Sequence, residues 1–184
     1  MVIFTNMIQK LFIFANLFFM TVLAKEYKAV DNLNITLYTG KWYQVYEDNF
    51  DKLFEHRGRC ATAEYKLLDN GNISVYNEQI DPDDSIDSIS GVAYYDEGDC
   101  CGYLTVYLDN MFPAPYWVLE LGPIIENEYQ YSIVSDEMGI ALFVLARNVS
   151  DFFMKYNNNV TDTLNEFGFV NNINKPIIMN QEDC

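Results

Sequence analysis

From Lys25 onward, apolar and polar positions alternate with a period of two rather than 3.6, so the chain reads as a run of strands. Gly40 to Phe50 opens the series: Gly40 permits a sharp entry, and Trp42 supplies a large apolar plug beneath a sheet. Cys60 to Leu67 alternates, with Ala61, Ala63, Tyr65 and Leu67 on one face and Thr62, Glu64 and Lys66 on the other. Asn70-Gly71 then predicts a hairpin, because both positions tolerate positive φ, and Ile73 to Ile80 returns. Asp81-Pro82-Asp83-Asp84 turns the chain into Ser88 to Tyr95, and Glu97-Gly98-Asp99 turns it into Gly102 to Leu108. Asn110 to Pro115 reads as a loop, since its two prolines cannot donate to a central ladder. Tyr116 to Leu121, Tyr129 to Ser135 and Ile140 to Arg147 bring the strand count to eight.

Eight consecutive strands joined mostly by short turns predict an all-β fold, an eight-stranded antiparallel up-and-down barrel able to hold one small ligand. After the last strand the period changes. Ser150-Asp151 offers a helix cap, and Phe152, Phe153, Tyr156, Val160, Leu164 and Phe167 recur at helical spacing. This predicts one C-terminal α-helix packed outside the barrel, followed by a short extended piece at Pro176-Ile177-Ile178.

The alternation also nominates a barrel lining. The inward set is Ala61, Ala63, Tyr65, Leu67, Val75, Asn77, Ala93, Tyr95, Leu104, Val106, Leu108, Ala141, Phe143 and Leu145, joined by Tyr131 and Ile133. Tyr116 to Leu121 reads two ways. With odd residues inward, Trp117 is a ring for a ligand to stack on, and it is counted in the ligand-binding set. With even residues inward, Glu120 becomes a buried carboxylate that needs a partner. Small residues such as Ala63, Gly91 and Ala93 favour a cavity over a solid core.

Ahead of the strands, Lys10 precedes an apolar run from Leu11 to Met20, and Val22-Leu23-Ala24 offers small residues at a cleavage site. The expectation is a signal peptide over residues 1–24 and a single barrel domain over 25–184, secreted to the extracellular space. No other stretch is long and apolar enough for a membrane-spanning helix. With 11 Lys+Arg against 27 Asp+Glu, the formal charge of -16 argues against nucleic acid or an anionic membrane as partner.

Two further features fit the secretory route. Sequons at Asn34, Asn72, Asn148 and Asn159 are candidate glycosylation sites. The four cysteines, Cys60, Cys100, Cys101 and Cys184, allow three pairings in an oxidising compartment. Cys60–Cys184 is favoured, as a staple from the C-terminal tail to an early strand. Cys100 and Cys101 would then form a vicinal bond, stay unpaired, or bond to another chain, so a disulfide-linked or homo-oligomeric partner through either is an open expectation.

These segments resemble the lipocalin family and, within it, apolipoprotein D-like members. Gly40-Lys41-Trp42-Tyr43 resembles the first family motif, and Leu145-Ala146-Arg147-Asn148 the third. Cys60 to Tyr65 with Asp69-Asn70-Gly71, and Ala114-Pro115-Tyr116-Trp117, are similar to further parts of those members. The resemblance implies that Arg147 packs across Trp42 at a closed end beside Gly40, a structural pairing worth about 0.5–2 kcal/mol. It also implies the Cys60–Cys184 bridge. Two departures stand out. The motif between the sixth and seventh strands appears only as Asn127-Glu128-Tyr129, inside a longer connection, and no cysteine lies between Lys25 and Gly58.

Catalytic chemistry finds little support. The only histidine, His56, has no serine or cysteine nucleophile beside it and cannot build a multi-histidine metal site. Asp81, Asp83, Asp84 and Asp87 lack the glycine and terminal glutamate of a calcium loop. The deep cysteine of enzymatic lipocalins has no counterpart here. The sequence therefore predicts no enzyme, cofactor or metal, but a carrier of a small hydrophobic ligand such as a lipid, sterol, retinoid, carotenoid or bilin. The alternative is a protein-interaction member with a filled barrel, acting through its loops or an intermolecular disulfide.

Overall fold

In a computed structural model, which describes residues 27–49, 58–95 and 101–184, antiparallel strands close into a barrel. A short helix, α1 (Ile35–Tyr38), precedes β1 (Gly40–Glu47). Then follow β2 (Arg59–Leu67), β3 (Ile73–Ile80), β4 (Ile86–Tyr95), β5 (Tyr103–Leu108) and β6 (Ala114–Leu121). A small hairpin, β7 (Ile124–Ile125) and β8 (Glu128–Tyr129), interrupts the series before β9 (Tyr131–Ser135) and β10 (Leu142–Ala146). Neighbours in sequence are neighbours in the sheet, in the order β10-β9-β6-β5-β4-β3-β2-β1, and β10 pairs back onto β1 to close it. A ninth strand, β11 (Ile177–Ile178), adds to the outer end of β1. The eight-stranded barrel read from the alternation is therefore present.

The elements differ from the sequence reading where local chemistry overrides periodicity. Ala114 and Pro115, expected in a loop, belong to β6, with Pro115 opposite Thr105. The β6–β9 ladder begins only at Trp117, so on that side a residue without an N–H is tolerated. The stretch Tyr129 to Ser135 is broken between β8 and β9. Glu126 (φ 52°) and Asn127 (φ 63°) are both left-handed, which builds the two-residue turn of the β7–β8 hairpin. At Ile140-Ala141 the expected strand gives way because the Asp136 carboxylate accepts from the backbone N–H groups of Met138, Ile140 and Ala141.

The outer helix begins two residues earlier than expected. Asn148, rather than Ser150-Asp151, is its N-cap and accepts from the Asp151 N–H at 2.9 Å. It runs as α2 (Val149–Asp151), a π-helical turn over Phe152–Tyr156 and α3 (Asn157–Glu166). Phe152, Val160 and Leu164 are fully buried against Tyr46, Ile133, Leu142 and Val144, which project from the outer faces of β1, β9 and β10. The polar Asn157-Asn158-Asn159 run stays helical because Asn157 accepts a 2.7 Å bond from the Tyr46 hydroxyl.

The C-terminal tail returns to the barrel and is stapled there. Cys60 and Cys184 form the favoured disulfide, with Cα atoms 5.5 Å apart across a separation of 124 residues. Beside it, the Gln181 side chain donates to the carbonyls of Gln44 and Ala61, both at 2.8 Å, bridging β1 and β2. The residues assigned to the signal peptide, together with His56 and Cys100, lie outside the described residues.

Candidate functional site: the barrel interior and its floor

One end of the barrel is shut. Trp42 is fully buried there, and its indole N–H donates to the Tyr38 carbonyl at 2.8 Å. The Arg147 guanidinium lies 3.8 Å from the centre of the Trp42 ring, the expected cation–π stack. It also donates to the carbonyls of Leu37, Tyr38 and Thr39, to Lys41 at 2.8 Å and to Tyr129 at 3.3 Å. Only 7% of the Arg147 side chain is exposed, and burial pulls its pKa below the ordinary value while Glu128 opposes that shift. Gly40 is required beside it. Its φ is +103°, and a Cβ there would stand 3.0 Å from an Arg147 nitrogen. This arrangement fixes α1 across the floor and holds no reactive group.

Above the floor, Ala63, Tyr65, Val75, Ala93 and Leu104 are buried inside the barrel, with Tyr95, Val106, Leu108 and Phe143 packed against them. Asn77 shares their face: it stands two residues from Val75 on β3, opposite Ala63 on β2. Leu67, on the same parity but past the end of the lining, is half exposed.

Two candidates lie elsewhere. Trp117 is on the outer surface, edge-on to Tyr103 at 4.8 Å and against the helix-side cluster. Tyr131 is also outside, packed on Phe152 and Tyr156 and donating to Glu120 at 2.8 Å. The cause is the β6–β9 register. Tyr116 and Val118 point inward, a bulge between Val118 and Glu120 turns Leu119 and Glu120 outward together, and Leu121 returns to the inside. In β9, Ser132 and Val134 are therefore the inward residues, while Tyr131 and Ile133 face the helix.

The interior also contains residues that the alternation alone did not nominate. Leu33, Ile35 and Tyr38 reach in from the segment before β1, and Tyr116 and Ile73 complete the base. A chain of hydroxyls crosses it: Tyr38 to Ser132 at 3.1 Å, Tyr38 to Tyr116 at 2.8 Å, and Tyr65 to Tyr116 at 3.0 Å. Burial pushes Tyr38 up to about 12, and raises Tyr65 and Tyr116 as well. These phenols are neutral donors and acceptors at ordinary pH. Between Ile73, Val75, Leu104, Val106 and the rings of Tyr65 and Tyr116 remains a void of about 10 Å³, room for about one water-sized group. Such an enclosure can desolvate apolar surface and offers hydroxyls for orientation. Among the described residues it presents no assembly of nucleophile and base.

The four sequon asparagines are all at the surface, with Asn72 half-buried and Asn34, Asn148 and Asn159 exposed. Cys101 is half-buried, two residues ahead of β5.

A closed antiparallel cup, floored by a stacked indole and guanidinium and flanked by one helix, defines the class of ligand-binding up-and-down barrels. The chain belongs to the lipocalin family: residues 33–175 match the family model described as a lipocalin-like domain. It is 34% identical to apolipoprotein D of Mus musculus over 90 residues, which are 48% of this chain and 46% of that protein. It is 33% identical to the outer membrane lipoprotein Blc of Vibrio cholerae over 121 residues, 65% of this chain and 68% of that one. The alignments thus span about half the length of the apolipoprotein D relatives and two thirds of Blc. Among solved structures, apocrustacyanin C1 superposes with a TM-score of 0.57 at 20% identity, covering 82% of this chain and 81% of that one, a likeness of fold.

Proposed function

We propose that this chain is a secreted carrier that takes one small hydrophobic molecule into the barrel. The observation that carries this reading is the asymmetry of the interior: a sealed, rigid floor beneath an apolar lining that retains a void and a hydroxyl cluster. Capture would come from desolvating apolar surface at about 25 cal/mol per Å² buried, and orientation from the tyrosine hydroxyls. The relatives named as apolipoprotein D favour a lipid-like guest. The apolar run within residues 1–24, the surface sequons and the Cys60–Cys184 bridge favour export.

A guest larger than a water molecule must move side chains that line the void. That small volume is also what favours the second reading, an extracellular protein-interaction lipocalin with a filled barrel. One experiment separates them. Residues 25–184 are incubated with a mixed lipid and pigment extract, repurified, and the bound material is identified by mass spectrometry. The carrier reading expects one class of apolar molecule near one-to-one stoichiometry. Recovery of nothing from several extracts, with tryptophan fluorescence unchanged, overturns it in favour of the filled barrel.

A further inference from the structure

Asn77 is an inward-facing polar side chain of the lining that lies outside the hydroxyl chain. Alternation with Val75 puts it on the inner face of β3, between Ala63 on β2 and Ile89 on β4. Its Oδ1 is buried and has no hydrogen-bond partner in the structure. A buried carbonyl oxygen left unpaired is destabilising, and native folds satisfy nearly all such atoms. A position devoted only to packing would be served by an aliphatic residue, as Ile73 and Val75 serve the same face four and two residues earlier. Asn77 stands about 7 Å nearer the open end than Val75, which lines the void.

We propose that Asn77 is a specificity-determining residue whose Oδ1 accepts a hydrogen bond from a hydroxyl on the guest, so that the barrel selects an apolar alcohol over a carboxylate of the same chain. This inference rests on the carrier reading above. An amide oxygen needs a donor, and a carboxylate at neutral pH has none. The entrance adds a second bias against anions. Among the described residues, the connections at the open end, opposite Trp42, carry Asp81, Asp83, Asp109, Asp136 and Glu137, and Asp87 stands at the start of β4. Arg59, at the start of β2, is already paired with Asp84 at 2.9 Å. An approaching carboxylate therefore meets like charge before it reaches an amide oxygen to which it has no proton to donate. An ammonium group would pass the rim but must shed its water among aliphatic side chains, which disfavours it at Asn77's depth. A hydroxyl meets neither obstacle.

The test uses three probes of equal chain length: 1-decanol, decyl methyl ether and decanoate. Each is titrated calorimetrically into residues 25–184 and into the Asn77→Leu and Asn77→Ala variants. The wild type is expected to bind decanol about tenfold or more tightly than either the ether or decanoate. In both variants decanol and ether should bind within about twofold of each other, with ether affinity kept, which shows that the pocket is intact. The Asn77→Leu melting temperature should be unchanged or higher, because an unpaired polar atom has been removed. Equal wild-type affinity for decanol and ether, or a preference that survives in both variants, overturns the inference while leaving the carrier reading in place. If no probe binds the wild type and lipid extracts also yield nothing, the carrier reading falls and takes this inference with it.

Discussion

The barrel wall has two apolar faces, and they are finished differently. On the outer face of β1, β9 and β10, Ile133, Leu142, Val144 and Ala146 meet Phe152, Val160, Leu164 and Phe169, and every one of these is fully buried. On the inner face Tyr95, Val106, Leu108 and Phe143 are only partly buried, a void persists, and an amide oxygen lacks a partner. The same strands make both faces, so strand propensity cannot be the difference. The outer face is complete because this chain supplies its own cover in the helix. The inner face is left with slack, which costs stability unless a guest fills it. Stability and proposed function are thus assigned to opposite sides of one sheet.

That division breaks most visibly at the outer face. Phe152→Ala should destabilise the fold by about 3–5 kcal/mol, read from urea midpoints, with decanol affinity of the folded fraction unchanged. If decanol binding fell in proportion to stability, the two faces would not be separable. At the floor, Arg147→Met removes the stack on Trp42 and five donated hydrogen bonds, for a loss of about 2–4 kcal/mol. Arg147→Lys should not restore it, because an ammonium cannot reach several carbonyls in a plane.

The inner hydroxyl chain makes a pH prediction. Tyr38 is pushed up to about 12 by burial, and Tyr65 and Tyr116 are raised too, whereas each ionises near 10 once unfolded. The unfolded state thus releases these protons first. Their contribution is full below pH of about 10 and is lost as pH rises through 12, with Tyr38 alone removing about 3 kcal/mol. Denaturation midpoints measured across that window, alongside tyrosinate absorbance, should fall as predicted. A flat profile would mean that the hydroxyls are not buried. The smallest effect belongs to Tyr116→Phe, which deletes the bridge between Tyr38 and Tyr65 for about 1–2 kcal/mol. Tyr116→Ala should instead widen the void and raise decanol affinity.

Much of this was legible in the chain before any coordinates. Alternation located the eight strands, Gly40, Trp42 and Arg147 marked the closed end, and the Cys60–Cys184 staple was favoured among three pairings. What alternation cannot register is an extra residue in a strand. The bulge after Val118 reverses the facing of Glu120 relative to a regular strand, and it left the odd-or-even question at Tyr116 to Leu121 unanswered from periodicity. Trp117, ahead of that bulge, and Tyr131, on a strand without one, face outward by plain strand parity. They are large aromatics on strands with two apolar faces, where the helix-side face is as hydrophobic as the lining. Leu33, Ile35 and Tyr38 were missed because they precede the first strand, where no period exists to assign them inward. Tyr38 had one usable signal, its position two residues before Gly40 and four before Trp42.

The most direct measurement is methyl NMR of residues 25–184 during titration with decanol. The methyl groups of Val75, Leu104 and Val106, inside the barrel, should shift in a saturable manner, while those of Leu142, Val144 and Val160, between barrel and helix, stay in place. Shifts confined to the helix-side methyls, or to exposed residues such as Met111 and Met138, would contradict a guest in the barrel.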